Sequence, residues 1–419
     1  VALFLSLLCV LMLIVGNITE KKFYNPLTLF SALWAIILFG SHFELFGFTG
    51  VTSFTYLIIL IGIVSYFIGY YSFKLISNKN KLLIRKPLKY NKKHELNIMF
   101  SVILVVSLVV LIMTTRNSVT LLLQGYTLHD IRYIVGMDRF NSGVINILFA
   151  YIVNPFTILV IPISAFYFYK EKRNLKYLYI AIILIVLNII TDGGRFVLLY
   201  IIINYIVAYF IMKKTQKQSF KFKRKVSLYL IVLFSVFSIV YVTLAREASI
   251  LETIYSYLIG AVSHLSYRLE TFDNYNLYTY GFSSLQGFVR PLFVVLQNIG
   301  FNSLPELVAR AEDITMALEE PVLIGEGVRF NAFITMFYYF YIDLGILGVT
   351  IGSFLYGILA SFSYFKVTKE INLVNVSVYL LIVQSLLTSM VRFQFSSFSF
   401  ALCFVYLFII TSSIKSYQK

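Results

Sequence analysis

The stretch FNAFITMFYYFYI (330–342) is followed by Asp343-Leu344 and then by GILGVTIGSFLYGILASFSYF (345–365). The second run has the ~20 apolar residues that a membrane span needs. The first is too short to span beside it, so it reads as a half-inserted or interfacial helix. Non-helical backbone at that depth must be covered by protein. These residues therefore place the chain in a membrane and predict a folded element next to a span.

The rest of the sequence agrees. Apolar residues make up 59% of 419 and charged residues 13%, about half the ~25% of a soluble domain. Hydropathy predicts an all-α polytopic membrane protein, 1–419 forming a single domain of eleven spans: 1–15, 28–46, 52–73, 97–115, 145–169, 175–191, 196–212, 227–245, 345–365, 372–390 and 396–414. The chain opens at Val1 in an apolar stretch without Met, so 1–15 reads as a clipped first span, not a cleaved signal. Cys9 and Cys403 lie within apolar runs, which argues against disulfides and a Cys-based metal site. The net charge of +16 reflects basic loops on one face rather than nucleic-acid binding. Loops on that face carry 25 cations against four acids, and the opposite face carries ten against fifteen. By the positive-inside rule the first face is cytoplasmic.

Charge type sorts as well as charge sign. Every lysine, 22 in all, falls on the cytoplasmic face with Arg85, Arg173 and Arg224. The external face holds only arginine: Arg116, Arg132, Arg139, Arg195, Arg246, Arg268, Arg290, Arg310, Arg329 and Arg392. Lysine is a hydrated point charge, whereas arginine is a planar fork suited to phosphate and carboxylate. That face carries a smaller loop, 116–143, and a large one, 246–344. The large loop contains YSYLIGAVSHLSY (255–267) and PLFVVLQNIGF (291–301), which read as amphipathic helices lying on the membrane.

The candidate site residues come from these external segments. Thr191-Asp192-Gly193-Gly194-Arg195 joins two spans. Gly193 and Gly194 can turn backbone N–H groups toward one point at a helix start, with Arg195 adding a fork, as in a phosphate cradle; a tight turn with a snorkelling arginine is the alternative. Gly325-Glu326-Gly327-Val328-Arg329 repeats the arrangement. Glu326 there is either a general base poised by Arg329 or half of a local ion pair at a helix start. Arg392, in a turn between apolar spans, is expected to snorkel or face a cavity. Arg246 and Arg290 are placed in the same cluster; Arg116, Arg132, Arg139, Arg268 and Arg310 read as structural. His264 is a candidate proton acceptor or a packed histidine. Asp343 reads as the N-cap of the 345–365 helix. The external tyrosines suit an interfacial belt. No P-loop, carboxylate cluster or Ser-His-Asp pattern occurs, so no cofactor or metal is expected.

With the Gly-Gly-Arg turn, the large loop, FYYFYIDLGILGVTIGSFLYG (337–357) and TFDNYNLYTYGFSSLQGF (271–288), the chain resembles the bacterial repeat-unit polymerases of the Wzy class, which make O-antigen and capsular polysaccharide. The resemblance implies a GT-C-like fold in the cytoplasmic membrane with the active site on the external side. It implies transfer of a growing glycan from undecaprenyl pyrophosphate to a hydroxyl of the incoming lipid-linked unit, independent of metal. Catalytic roles would fall to Arg195, Glu326 and His264, and pyrophosphate binding to Arg195, Arg246, Arg290, Arg329 and Arg392 with Gly193 and Gly194. Asp343 and Gly345 would form a structural motif. The implied partners are the lipid-linked oligosaccharide as donor and acceptor, the bilayer and a chain-length regulator. An O-antigen-ligase-type transferase and a flippase of the same lipid are the alternatives.

Overall fold

The computed structural model describes residues 1–48, 50–79, 96–126, 143–170, 175–192, 194, 196–213, 226, 229, 232–233, 236, 250–273, 278–300 and 305–412. Its helices are α1 (Ala2–Glu20), α2 (Pro26–Ser41), α3 (Ser53–Lys79), α4 (Ile98–Leu123), α5 (Gly143–Lys170), α6 (Lys176–Asp192) and α7 (Phe196–Met212). They continue with α8 (Ala261–Asp273, extending a helical run that begins at 250), α9 (Gln286–Asn298), α10 (Glu306–Met316), α11 (Met336–Lys369), α12 (Leu373–Leu387) and α13 (Phe398–Thr411). Two three-residue strands, β1 (Val322–Ile324) and β2 (Val328–Phe330), pair antiparallel. Among the described residues five helices are long and apolar enough to cross a membrane: α1, α3, α4, α5 and α11. Another five, α2, α6, α7, α12 and α13, are apolar but shorter. Their outward faces carry large apolar side chains, such as Phe4, Leu7 and Leu11 of α1. Such faces suit lipid, not water.

The chain forms two compact units. Unit 2 comprises Ile84–Glu247, Ile371–Leu381 and Ser399–Lys419. In α5, Pro155 lacks the N–H that would serve the carbonyl of Tyr151 four residues earlier. The helix widens into a π-turn at Phe149–Val153, and the Tyr406 hydroxyl of α13 donates to that carbonyl at 2.7 Å. Hydroxyls join α4 to α6: Thr191 lies 3.0 Å from Thr115 and 3.4 Å from Thr114, and Ser118 donates to the Thr191 carbonyl. Thr191, two residues before Gly193 in the sequence, is thus fixed.

Unit 1 comprises Val1–Leu83, Ala248–Glu370 and Ile382–Phe398, and contains α1, α2, α3 and α11. Asn25 caps α2, its Oδ1 accepting from Thr28 N–H at 2.8 Å. The ends of unit 1 differ in charge type. Glu20 pairs with Lys74 at 2.7 Å, and Lys22 lies over the Tyr364 ring, with Lys366 and Lys369 closing α11. At the other end, Tyr255 donates to the Gly40 carbonyl, and Ser266 accepts from Thr52 N–H. All five described arginines of the 250–398 segments belong to elements at this end or to the cap built on it. The cap consists of α8, α9, α10, the β-hairpin and residues 388–397, with an apolar centre of Phe48, Tyr255, Ile259, Ile324 and Phe330.

The opening stretch folds as a helical hairpin. Residues 336–343 are buried, and α11 breaks at Leu344 (φ −151°) and Gly345 (φ 60°, ψ −141°), the latter a conformation glycine adopts without strain. Phe340 then lies against Gly348 and Gly352, where an added Cβ would collide with it. In a straight helix residues 340 and 352 would be ~18 Å apart, so the chain has reversed. The neighbours agree. Phe337 packs at Gly62 and Tyr341 at Phe54, so the first arm runs against α3; Tyr356 meets Tyr66 and Phe362 meets Phe73, so the second arm runs with it. Backbones of α3 and the second arm touch at Gly69 and Gly357, the small-residue packing used between membrane helices.

The expectation for 330–342 is a half-inserted or interfacial helix; the structure has a buried helical arm there, with sharper bounds. The helix starts at Met336, because Phe330 ends β2. The expected helix start at Gly325–Arg329 is instead the tip of the β-hairpin, with Gly325 and Gly327 at φ 68° and 77°. The expected 227–245 span falls almost wholly outside the described residues.

Candidate functional site

Asp343 stands at the apex of the helical hairpin and is buried. It does not cap its own helix, as its position before Gly345 suggested. Its Oδ1 accepts from Thr279 Oγ1 at 2.6 Å and Ser283 N–H at 3.0 Å. Its Oδ2 accepts from Ser284 N–H at 3.1 Å and from the Ser284 hydroxyl. The break in α11 frees carbonyls that a continuous helix would have used. Thr279 N–H takes that of Ile342 at 2.9 Å, and Tyr280 N–H takes that of Asp343 at 3.0 Å. One carboxylate and two carbonyls thereby fix the turn that leads into α9. Gly345 is held beside the Tyr278 hydroxyl.

His264 is fully buried and both ring nitrogens are engaged. Nδ1–H donates to the Phe333 carbonyl at 2.8 Å, and Nε2 accepts from Arg268 Nε–H at 2.9 Å. These partners fix the neutral tautomer. Burial lowers its pKa from 6.5 to about 4, the Phe333 bond opposing the shift and the Arg268 charge adding to it. Arg268 continues the chain by donating from Nη2 to the carbonyls of Ala317 at 2.7 Å and Glu320 at 3.3 Å. It is a structural arginine, as read from sequence, and it clamps the turn after α10.

A pH dependence follows. The unfolded ring takes a proton below about 6.5, the folded one only near 4, so the stabilisation is intact above 6.5 and is lost as pH falls to 4. The shift corresponds to roughly 3 kcal/mol. Melting of the detergent-purified protein should weaken between pH 7 and pH 4.5, and His264→Gln should remove much of that difference. An unchanged pH dependence in His264→Gln would refute the neutral-ring arrangement.

The other arginines divide by partner. Arg290 Nη2 pairs with Glu312 at 3.1 Å, while its Nη1 is buried with no hydrogen-bond partner. Arg392 pairs with Glu319 at 3.2 Å and stays partly exposed. Arg310 pairs with Glu306 and reaches the Tyr278 carbonyl. Arg329 is exposed on β2 opposite Leu323, and Glu326 is exposed at the hairpin tip, its N–H donating to the Gly47 carbonyl at 3.0 Å. The ion pair considered for Glu326 and Arg329 does not form: they share no salt bridge in the structure.

The structure brings Asp343 and Gly345 together at the apex. Arg290 and Arg392 belong to two segments that meet where Gly287 packs on the carbonyls of Phe395 and Ser397. Glu326 and Arg329 lie on the β-hairpin, and His264 beneath Phe333. Arg195, Gly193 and Arg246 lie outside the described residues; Gly194 is half-buried. Sequence reasoning missed Thr279, Ser283 and Ser284, although the hydroxyl-rich run around them was visible, and missed the His264–Arg268 pair despite its i,i+4 spacing. No family model, curated protein or solved structure matches the chain.

Proposed function

We propose that the chain is a membrane-embedded polymerase of lipid-linked oligosaccharide repeat units, with eleven spans, a GT-C-like arrangement, and the arginine-bearing cap on the external face of the bacterial cytoplasmic membrane. The observation that carries this reading is the charge sorting of unit 1. Lysines mark one end; the cap at the other carries arginine only, and Arg290 keeps a buried Nη1 unspent. A buried donor without a partner costs about 1–3 kcal/mol, so an anionic group that met it would be held firmly.

In the proposed reaction a hydroxyl of the incoming unit attacks the anomeric carbon of the growing glycan. The bond to the pyrophosphate oxygen breaks, and its electron pair stays with the departing lipid pyrophosphate. Arg195, Arg246, Arg290, Arg329 and Arg392 are the groups assigned to offset the charge that develops there. The acceptor proton goes to a base. Glu326, exposed and free of a salt bridge, suits that part better than His264, whose two nitrogens are occupied. His264 then serves by positioning Arg268.

A buried half-helix is also a device of transporters, which makes a flippase the second reading. Purified protein in liposomes, given lipid-linked repeat units and no other acceptor, separates them. A ladder of polymers supports the polymerase, and activity should survive EDTA. Lipid-linked units that cross the bilayer without a ladder point to a flippase; neither product removes both readings.

A further inference from the structure

Unit 1 holds a cavity of about 410 Å³ between the second arm of α11, the turn before α9 and residues 393–395. It runs beside α11 from Leu344 to Leu359, ~22 Å of helix. Its floor is shallow in side chains at Gly348 and Gly352 and is otherwise aromatic, with Phe340, Tyr356 and Phe393. Phe288 and Phe395 stack at 6.0 Å and close one wall. The polar atoms along it are already bonded: Ser284 to Asp343, and the Tyr356 hydroxyl to Ser385 at 2.7 Å. Sugars and phosphates would find no unspent partner there. A hydrocarbon would lose nothing by entering.

The rim indicates where such a hydrocarbon comes from. Ile351 and Leu355 line the cavity and are also about half exposed, on a helix long and apolar enough to cross a membrane. The exposed residues Leu292 and Val295 of α9, with Ile299 just after it, extend the same apolar surface beyond Phe288. The groove is therefore continuous with a surface suited to lipid chains. At ~30 Å³ for a methylene-sized group, comparable to a water molecule, it accepts roughly a dozen carbons of one chain. Its head end is closed by the Ser284–Asp343 bond, below the arginine cap.

We infer that this groove binds the hydrocarbon chain of the polyprenyl carrier, seating the chain along α11 so that the polar head remains at the cap. The identity of the lipid rests on the proposed polymerase reading; the apolar character of the site does not.

The test uses the full chain purified in detergent, with undecaprenyl monophosphate as probe and dioleoylphosphatidylglycerol as a two-chain anionic control. Leu355→Trp and Ile351→Trp place a large ring at exposed rim positions, where the fold should tolerate it. Leu11→Trp, at an exposed position of α1 that does not line the groove, is the matched control. Undecaprenyl phosphate should raise the melting temperature of the wild type and of Leu11→Trp. The two rim variants should melt normally without lipid and bind the probe at least ten-fold more weakly. A wild-type response in both rim variants, or an equal response of the wild type to the two-chain lipid, would overturn the assignment. If a rim variant melts low without lipid, the other rim variant and the two-chain comparison still decide. Binding through the groove without any polymer from lipid-linked units would keep the groove and reject the reaction. Normal polymer yield and probe affinity in Leu355→Trp would keep the reaction and reject the groove.

Discussion

Asp343→Ala is expected to destabilise unit 1 by about 3–5 kcal/mol, since it strands two backbone N–H groups and two hydroxyls in a buried place. On the scale of a unit this size, that is a fall in melting temperature on the order of 10 °C. The four donors come from Thr279, Ser283 and Ser284, so the loss should spread to the turn that starts α9. Asp343→Asn keeps the shape but points an amide N–H₂ at groups that can only donate, Ser283 N–H or Ser284 N–H. It should lie between the wild type and alanine. Hydrogen exchange gives a second readout: amides of 279–289 should lose protection in both variants, while those of α1 and α2 should not. A melting temperature for Asp343→Ala within about 1 °C of the wild type would rule out Asp343 as the pin of the hairpin.

Arg195→Lys is expected to reduce polymer formation by on the order of 100-fold, although the charge is kept. A lysine offers a point charge where the reading requires a planar fork bonding two oxygens of the pyrophosphate, and losing one such donor to a developing charge typically costs that much. Arg195 follows Gly193-Gly194 directly after α6, whose Thr191 is held by Thr114 and Thr115. A normal melting curve should therefore accompany the loss of activity. Polymer at wild-type level from Arg195→Ala would remove Arg195 from the site.

Much of the architecture was legible because it follows from local composition. Apolar runs located the helices, and 330–342, too short to span beside 345–365, read as a separate half-inserted or interfacial helix; the structure has a buried helical arm there. The partner of Asp343 was not legible. Thr279 and Ser284 lie about sixty residues away, and a carboxylate before a glycine and a helix looks the same whether it caps its own helix or another segment. The β-hairpin was missed for a related reason: strands of three residues carry no period, so Gly325-Glu326-Gly327 resembled a helix entry. Of the arginine cluster, composition revealed the sorting but not the partners. Glu312 and Glu319 commit one N–H of Arg290 and Arg392, and only the fold shows that Arg290 has another, buried and unspent.

That unspent donor leads to the most direct measurement. The purified chain, saturated with an undecaprenyl-pyrophosphate-linked oligosaccharide, can be imaged by electron cryomicroscopy to locate the phosphates. Phosphate density at the arginine-bearing cap, within hydrogen-bond reach of Arg290 Nη1, is the expected result. Phosphates at the lysine end beside Lys22 and Lys74, or an empty cap at saturating lipid, would contradict it.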